Sequence, residues 1–219
     1  MININGYDSS YDADNFIEVQ STSDNPGGSK FELSEFGFGL TSSKGNDAYY
    51  YDLLNSNPDW FNQSTNLTSL QMNFRGLGLP TQLYLEFTNL FSIITAGEGT
   101  CVDGPGGYCA LPQNCEAYND RGLWDYDFKI KFATGSGDQY LRVPLTTIAA
   151  DYYNYNGLCA VFVEYLEASV TDSKQILLGG MFLQSLYARV ESTEAVTNLK
   201  LFVNKNAPAS TYLGNAVVT

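Results

Sequence analysis

The stretch Gln175-Ile-Leu-Leu-Gly-Gly-Met-Phe-Leu-Gln-Ser-Leu-Tyr-Ala-Arg-Val-Glu191 limits what this chain can fold into more than any other. Ile176–Leu178 is an apolar, β-prone run. Gly179-Gly180 then opens backbone conformations that a Cβ forbids. Met181, Phe182, Leu183 and Leu186 are spaced for one buried face of a short helix. Tyr187-Ala-Arg-Val-Glu191 alternates as a strand does. The pattern predicts a strand, a Gly-Gly break, one apolar turn of helix and a second strand.

Composition extends that reading to the whole chain. The 219 residues suffice for one large domain with its own core. Charged residues make up only 16%, whereas Tyr (16), Phe (13) and Gly (20) are plentiful alongside Asn, Ser and Thr. This is strand-and-turn chemistry, and the predicted class is all-β. The net charge of −13 sets up a field that repels phosphate backbones and anionic membranes. It argues against nucleic acid or lipid surfaces as partners, and its plain consequence is solubility. The chain has no His, which excludes Ser-His and Cys-His catalysis and any His-ligated metal. No apolar run reaches the roughly 18 residues a membrane helix needs, so no insertion is expected. Met1-Ile-Asn-Ile-Asn-Gly6 reads as domain interior, without the basic and apolar regions of a signal peptide. The numbering is therefore expected to begin partway through a longer protein.

The cysteines are Cys101, Cys109, Cys115 and Cys159, which allow three pairings. A Cys101–Cys109 bond would close a small loop around Asp103-Gly-Pro-Gly-Gly107, and a Cys115–Cys159 bond a long one. Zinc is the rival use, but there is no CxxC pair, so disulfides are expected and no metal. Asn62-Gln-Ser64 and Asn66-Leu-Thr68 are acceptor sites for N-glycans in a polar stretch. Sequons together with paired cysteines favour a secreted, extracellular or cell-surface setting, which is the expected localisation.

Along the chain, Ile2 and Ile4 alternate with Asn3 and Asn5, Gly6–Ser10 is turn chemistry, and Phe16–Val19 resumes a strand. Lys30–Phe38 alternates, with Phe31, Leu33 and Phe36 or Phe38 as core candidates. Tyr126–Phe132 and Tyr140–Val143 flank the turn Gly135-Ser-Gly-Asp138 as a hairpin. Leu158–Glu164 and Leu199–Val203 are further strands.

Several of these strings resemble the C-terminal lobe of pepsin-like aspartic proteases. Gln175–Glu191 is similar to that lobe's last strand-loop-helix-strand, an Ile-Leu-Gly-Asp-x-Phe-Leu-Arg-x-Tyr-like string. Asn5-Gly-Tyr-Asp-Ser-Ser-Tyr11 is similar to its opening Gly-Gly-x-Asp-x-x-x-Tyr. The order Cys115, strand, turn, strand, Pro144, Cys159 also follows the lobe. The resemblance implies a pepsin-type lobe of orthogonally packed sheets with short helices over residues 1–203. It makes about 41–75 an insertion and 204–219 a C-terminal tail, and it implies a Cys115–Cys159 disulfide. In that family two aspartates, one from an Asp-Thr/Ser-Gly loop in each lobe, share a proton and act on a water as acid and base. Aligning Ser92-Ile-Ile-Thr95 with the end of the motif puts Thr88 at the Asp, Asn89 at the Thr and Leu90 at the Gly, inside a retained strand. A shifted register offers Glu86, but no Gly then follows. No Asp-Thr-Gly or Asp-Ser-Gly occurs anywhere, and Gly180 replaces the Asp of the late Ile-Leu-Gly-Asp. A Thr hydroxyl cannot hold the shared proton.

The resemblance thus implies a catalytically inactive domain, a structural or interaction component of an extracellular or surface assembly, with no cofactor. Its expected partners are an N-terminal protease-like lobe or other subunits, besides N-glycans. The rivals are a peptide- or glycan-binding module using the former cleft, and an aspartic endopeptidase subunit. Weaker constellations are Asp8, Asp12 and Asp14, whose spacing fits no calcium loop closely and reads as a solvated turn. Trp124-Asp-Tyr-Asp127 has the makings of a sugar-binding pair. Gly104-Pro-Gly-Gly107 lacks the Lys and helix start of a phosphate loop.

Overall fold

A computed structural model describes residues 11–20, 30–41, 47–53, 67–71, 74–103, 106–132, 139–152, 157–166, 175–184, 186–192, 197–204 and 212–215. The fold is all-β with few helices, and two disulfides fasten it. Sixteen strands are described. They are β1 (Tyr11–Gln20), β2 (Lys30–Thr41), β3 (Asp47–Asp52), β4 (Leu67–Gln71), β5 (Leu77–Pro80), β6 (Thr100–Val102), β7 (Tyr108–Leu111) and β8 (Tyr126–Phe132). There follow β9 (Gln139–Pro144), β10 (Ala149–Tyr152), β11 (Leu158–Val161), β12 (Val163–Leu166), β13 (Gln175–Gly179), β14 (Leu186–Ser192), β15 (Thr197–Asn204) and β16 (Tyr212–Asn215). Helix α1 (Thr81–Ile94) follows β5, and the single turn α2 (Gly180–Leu183) follows β13.

The largest sheet has nine strands in the order β12-β5-β13-β4-β2-β8-β9-β16, with β3 also on β2. A four-stranded sheet runs β10-β11-β7-β6, and a three-stranded one β1-β15-β14. In β8 the buried residues Phe128, Ile130 and Phe132 alternate with half-exposed Lys129 and Lys131, the pattern of a strand with one apolar face. β13 is buried along its whole length, as a continuous apolar run should be when both faces are covered. β2 buries Phe31 and Leu33, and also both Phe36 and Phe38, although the two pairs differ in parity. A register shift against β8 between Leu33 and Glu35 resolves this. The bulge puts exposed Ser34 outside and turns the next apolar pair inward.

The two strands described within 47–71 are built into the large sheet, β3 and β4 both pairing with β2. β16, in the stretch assigned to a tail, pairs with β9 over four residues. Between β8 and β9, one guanidinium nitrogen of Arg142 donates to both carboxylate oxygens of Asp127, at 3.0 and 3.1 Å, and both residues are buried.

Candidate functional site

The segment expected to hold the relic of a catalytic loop is helical, which corrects the placement of Thr88, Asn89 and Leu90. They lie in the middle of α1, on no strand and at no turn. The Thr88 hydroxyl donates back to the Leu85 carbonyl at 2.9 Å. Asn89 is exposed, and Leu90 packs half-buried against the core. Glu86, the alternative acid, accepts the Tyr51 hydroxyl at 2.8 Å. The cause is the spacing of Leu83, Tyr84, Phe87 and Phe91. These four are buried together on one helical face, whereas a strand would send Tyr84 to the side opposite the others. Phe87 stacks on Phe91 and Phe128 and meets Phe38 edge-on, with centroids 5.4–5.9 Å apart.

The strand-Gly-Gly-helix string leads to a different place. β4 and β5 are consecutive, yet they do not pair with each other. β13 lies between them, parallel to β4 and antiparallel to β5. Residues 74–76 cross the end of β13 and are tied to it. The Gly179 N–H donates to the Gly76 carbonyl at 2.7 Å and the Gly180 N–H to that of Phe74 at 2.6 Å. The Met181 N–H donates to the Arg75 carbonyl at 2.8 Å. On the other side the Leu77 N–H donates to the Phe162 carbonyl at 2.9 Å. Gly179 and Gly76 are needed here because two backbones approach where a Cβ would sit. At Gly76 it would fall 1.9 Å from the Phe162 carbonyl oxygen, and at Gly179 2.4 Å from that of Gly76.

Arg75 is exposed on this crossing, its guanidinium carbon 3.6 Å from the centroid of the Phe162 ring. The sequence reading passed over it. The signal available was Gly76-Leu-Gly-Leu-Pro80, since glycines alternating within an apolar strand mark close backbone approach.

Chemically, the crossing carries no acid. From Leu67 to Pro80 the sequence contains neither Asp nor Glu. The N–H groups of Gly179, Gly180 and Met181 are already taken by carbonyls, so they offer no oxyanion hole.

Both disulfides form as Cys101–Cys109 and Cys115–Cys159, and no free cysteine remains. The Trp124/Asp127 pair has its polar ends occupied. The indole N–H donates to the Cys115 carbonyl at 3.2 Å, and the Asp127 carboxylate is held by Arg142. Burial pushes the Tyr84 phenol above its ordinary range, and the Asp103 carboxylate adds to the effect. Tyr118 is shifted the same way, first by burial. Asp8, Asn62 and Asn66 lie outside the described residues, as do the side chains of Asp12 and Asp14. Among the described residues no cluster of acids and cysteines could hold a metal, and no helix is long and apolar enough to cross a membrane.

Fold and site together define an all-β, disulfide-fastened domain with a strand threaded through an acid-free crossing. No known family model matches the chain, and no curated protein matches it either.

Proposed function

We propose that this chain is a catalytically inactive pepsin-like lobe that serves as a structural or interaction component of an extracellular or cell-surface assembly. The observation that carries the reading is the crossing between β4 and β5. The family's chemistry needs a carboxylate on a Gly-bearing turn, close enough to a second carboxylate to share a proton. Phe74-Arg75-Gly76 is a Gly-bearing turn that packs against the Ile176–Gly180 string, and it carries no carboxylate. The two disulfides and the sequons at Asn62 and Asn66 support the extracellular part. A partner is expected to be an N-terminal protease-like lobe or another subunit, and no cofactor is invoked.

The test is to incubate the protein with denatured substrate protein from acid to neutral pH, with and without a transition-state-mimicking inhibitor of aspartic proteases. No inhibitor-sensitive cleavage is expected. Inhibitor-sensitive cleavage would sink the reading in favour of an endopeptidase subunit. A second form of the proposal, a peptide-binding module on the former cleft face, is favoured by the exposed Arg75. A glycan-binding form finds no support at Trp124–Asp127, where both polar ends are occupied.

A further inference from the structure

We infer that Arg75 anchors a binding site for a carboxylate side chain of a partner polypeptide. The inference rests on the interaction reading above and gives it a ligand class. It does not depend on the loss of catalysis.

The other arginines are engaged. Arg121 bridges Glu98 at 2.8 Å, Arg142 holds Asp127, and Arg189 has contacts of its own. Arg75 is exposed, and among the described residues no carboxylate pairs with it, in a chain with 24 acidic and 11 basic side chains. What holds it is a ring. A cation held over a ring face by cation–π attraction spends none of its N–H groups on a hydrogen-bond acceptor there, so they stay available to a ligand. The platform is rigid at both ends. Phe162 is only 3% exposed and its carbonyl accepts the Leu77 N–H, while the Arg75 carbonyl accepts the Met181 N–H. A guanidinium already seated over a ring before its ligand arrives is suited to a bidentate carboxylate.

The neighbourhood narrows the ligand further. The Tyr108 ring tilts against Phe162 at 6.3 Å and stacks on Tyr152 at 5.1 Å, and both tyrosines are half-exposed. The cation therefore stands at the end of a row of rings, which fits an acidic residue flanked by an apolar or aromatic one. Elsewhere the charge of −13 repels acidic segments, so an acid that docks is directed here.

The experiment uses the full chain labelled with ¹⁵N-arginine. It contains four arginines, so the Arg75 Nε–Hε signal is assigned by its loss in Arg75→Lys. The probes are acetyl-Phe-Glu-Phe-amide and its Gln counterpart. The Glu peptide should shift the Arg75 signal saturably, and the Gln peptide should bind at least tenfold more weakly. Arg75→Lys keeps the charge but loses the planar fork, and should weaken the Glu peptide at least tenfold with an unchanged fold in its amide spectrum. Equal binding of the two peptides, no shift at all, or undiminished binding by Arg75→Lys overturns the inference. So does displacement by inorganic phosphate at equal concentration, which would mean a site for any small anion. If that variant fails to fold, the Arg75 signal is assigned by its loss in Arg75→Gln instead, and the Glu/Gln comparison on the unaltered protein decides the matter. Inhibitor-sensitive proteolysis in the same samples would overturn the inactive-lobe reading and leave the Arg75 result standing.

Discussion

At Gly76 and Gly179 the space a methyl group needs is taken by carbonyl oxygens of the main chain, which cannot swing aside. Gly179→Ala and Gly76→Ala should each cost on the order of 3 kcal/mol or more, or prevent folding. Gly157→Ala meets nothing within 4 Å but must keep φ at +81°, and should cost about 1–2 kcal/mol. Thermal unfolding of the three variants separates the two mechanisms, and equal losses would contradict the close-approach argument. Tyr84 gives a pH signature. Its phenol is harder to ionise folded than its reference value of 10.0 allows, chiefly through burial. Its contribution is therefore complete below about pH 10 and is lost progressively as the pH climbs toward the raised folded value. Tyr84→Phe should flatten the fall in urea midpoint between roughly pH 9.5 and 11.5, and parallel curves for the two proteins would refute it.

Among the elements, the disulfides differ by the loops they close. Cys115–Cys159 spans 44 residues and Cys101–Cys109 spans 8. Loop entropy gives about 4 and about 2.5 kcal/mol respectively. Paired Cys→Ala variants should rank in that order in denaturant unfolding, and a reversed order would show that local packing outweighs chain entropy. The string from Gln175 to Glu191 was legible because it changes period at a glycine pair, and β13, α2 and β14 follow it within a residue or two. Helix α1 was not. It is rich in Phe, Tyr, Ile and Thr, which read as strand, and it lacks the usual end signals. Pro80 provides no side-chain cap, no acid sits in the first turn and no base in the last. The four-residue spacing of Leu83, Phe87 and Phe91 was the signal to follow. The bulge at Ser34 left only a change of parity in the sequence, too little to choose between Phe36 and Phe38 when both are buried. The crossing at 74–76 was legible only in part, since the alternating glycines of Gly76–Pro80 mark a close backbone approach without naming what approaches. Its partners, Phe162 and Gly179–Met181, are distant in the chain, and no local pattern announces long-range pairing.

For the whole molecule, the interaction reading predicts company. Leu85, Ile93 and Val102 are large apolar residues left 49%, 74% and 51% exposed, and a partner would cover such positions at little cost in specificity elsewhere. Size exclusion with light scattering and intact mass measurement of the native protein should find additional polypeptide, and hexose-rich mass on Asn62 or Asn66. A bare, unglycosylated monomer would overturn that expectation. The threading of β13 between β4 and β5 also bears on biosynthesis. A ribosome delivers β4, β5 and α1 long before Gln175 emerges, and until then the two inner edges that β13 will occupy have no strand to pair with. β1 waits in the same way for β15. The nascent chain thus holds these aggregation-prone edges open from the delivery of β4 and β5 until β13 emerges, and the large sheet can close only once that central strand has been delivered.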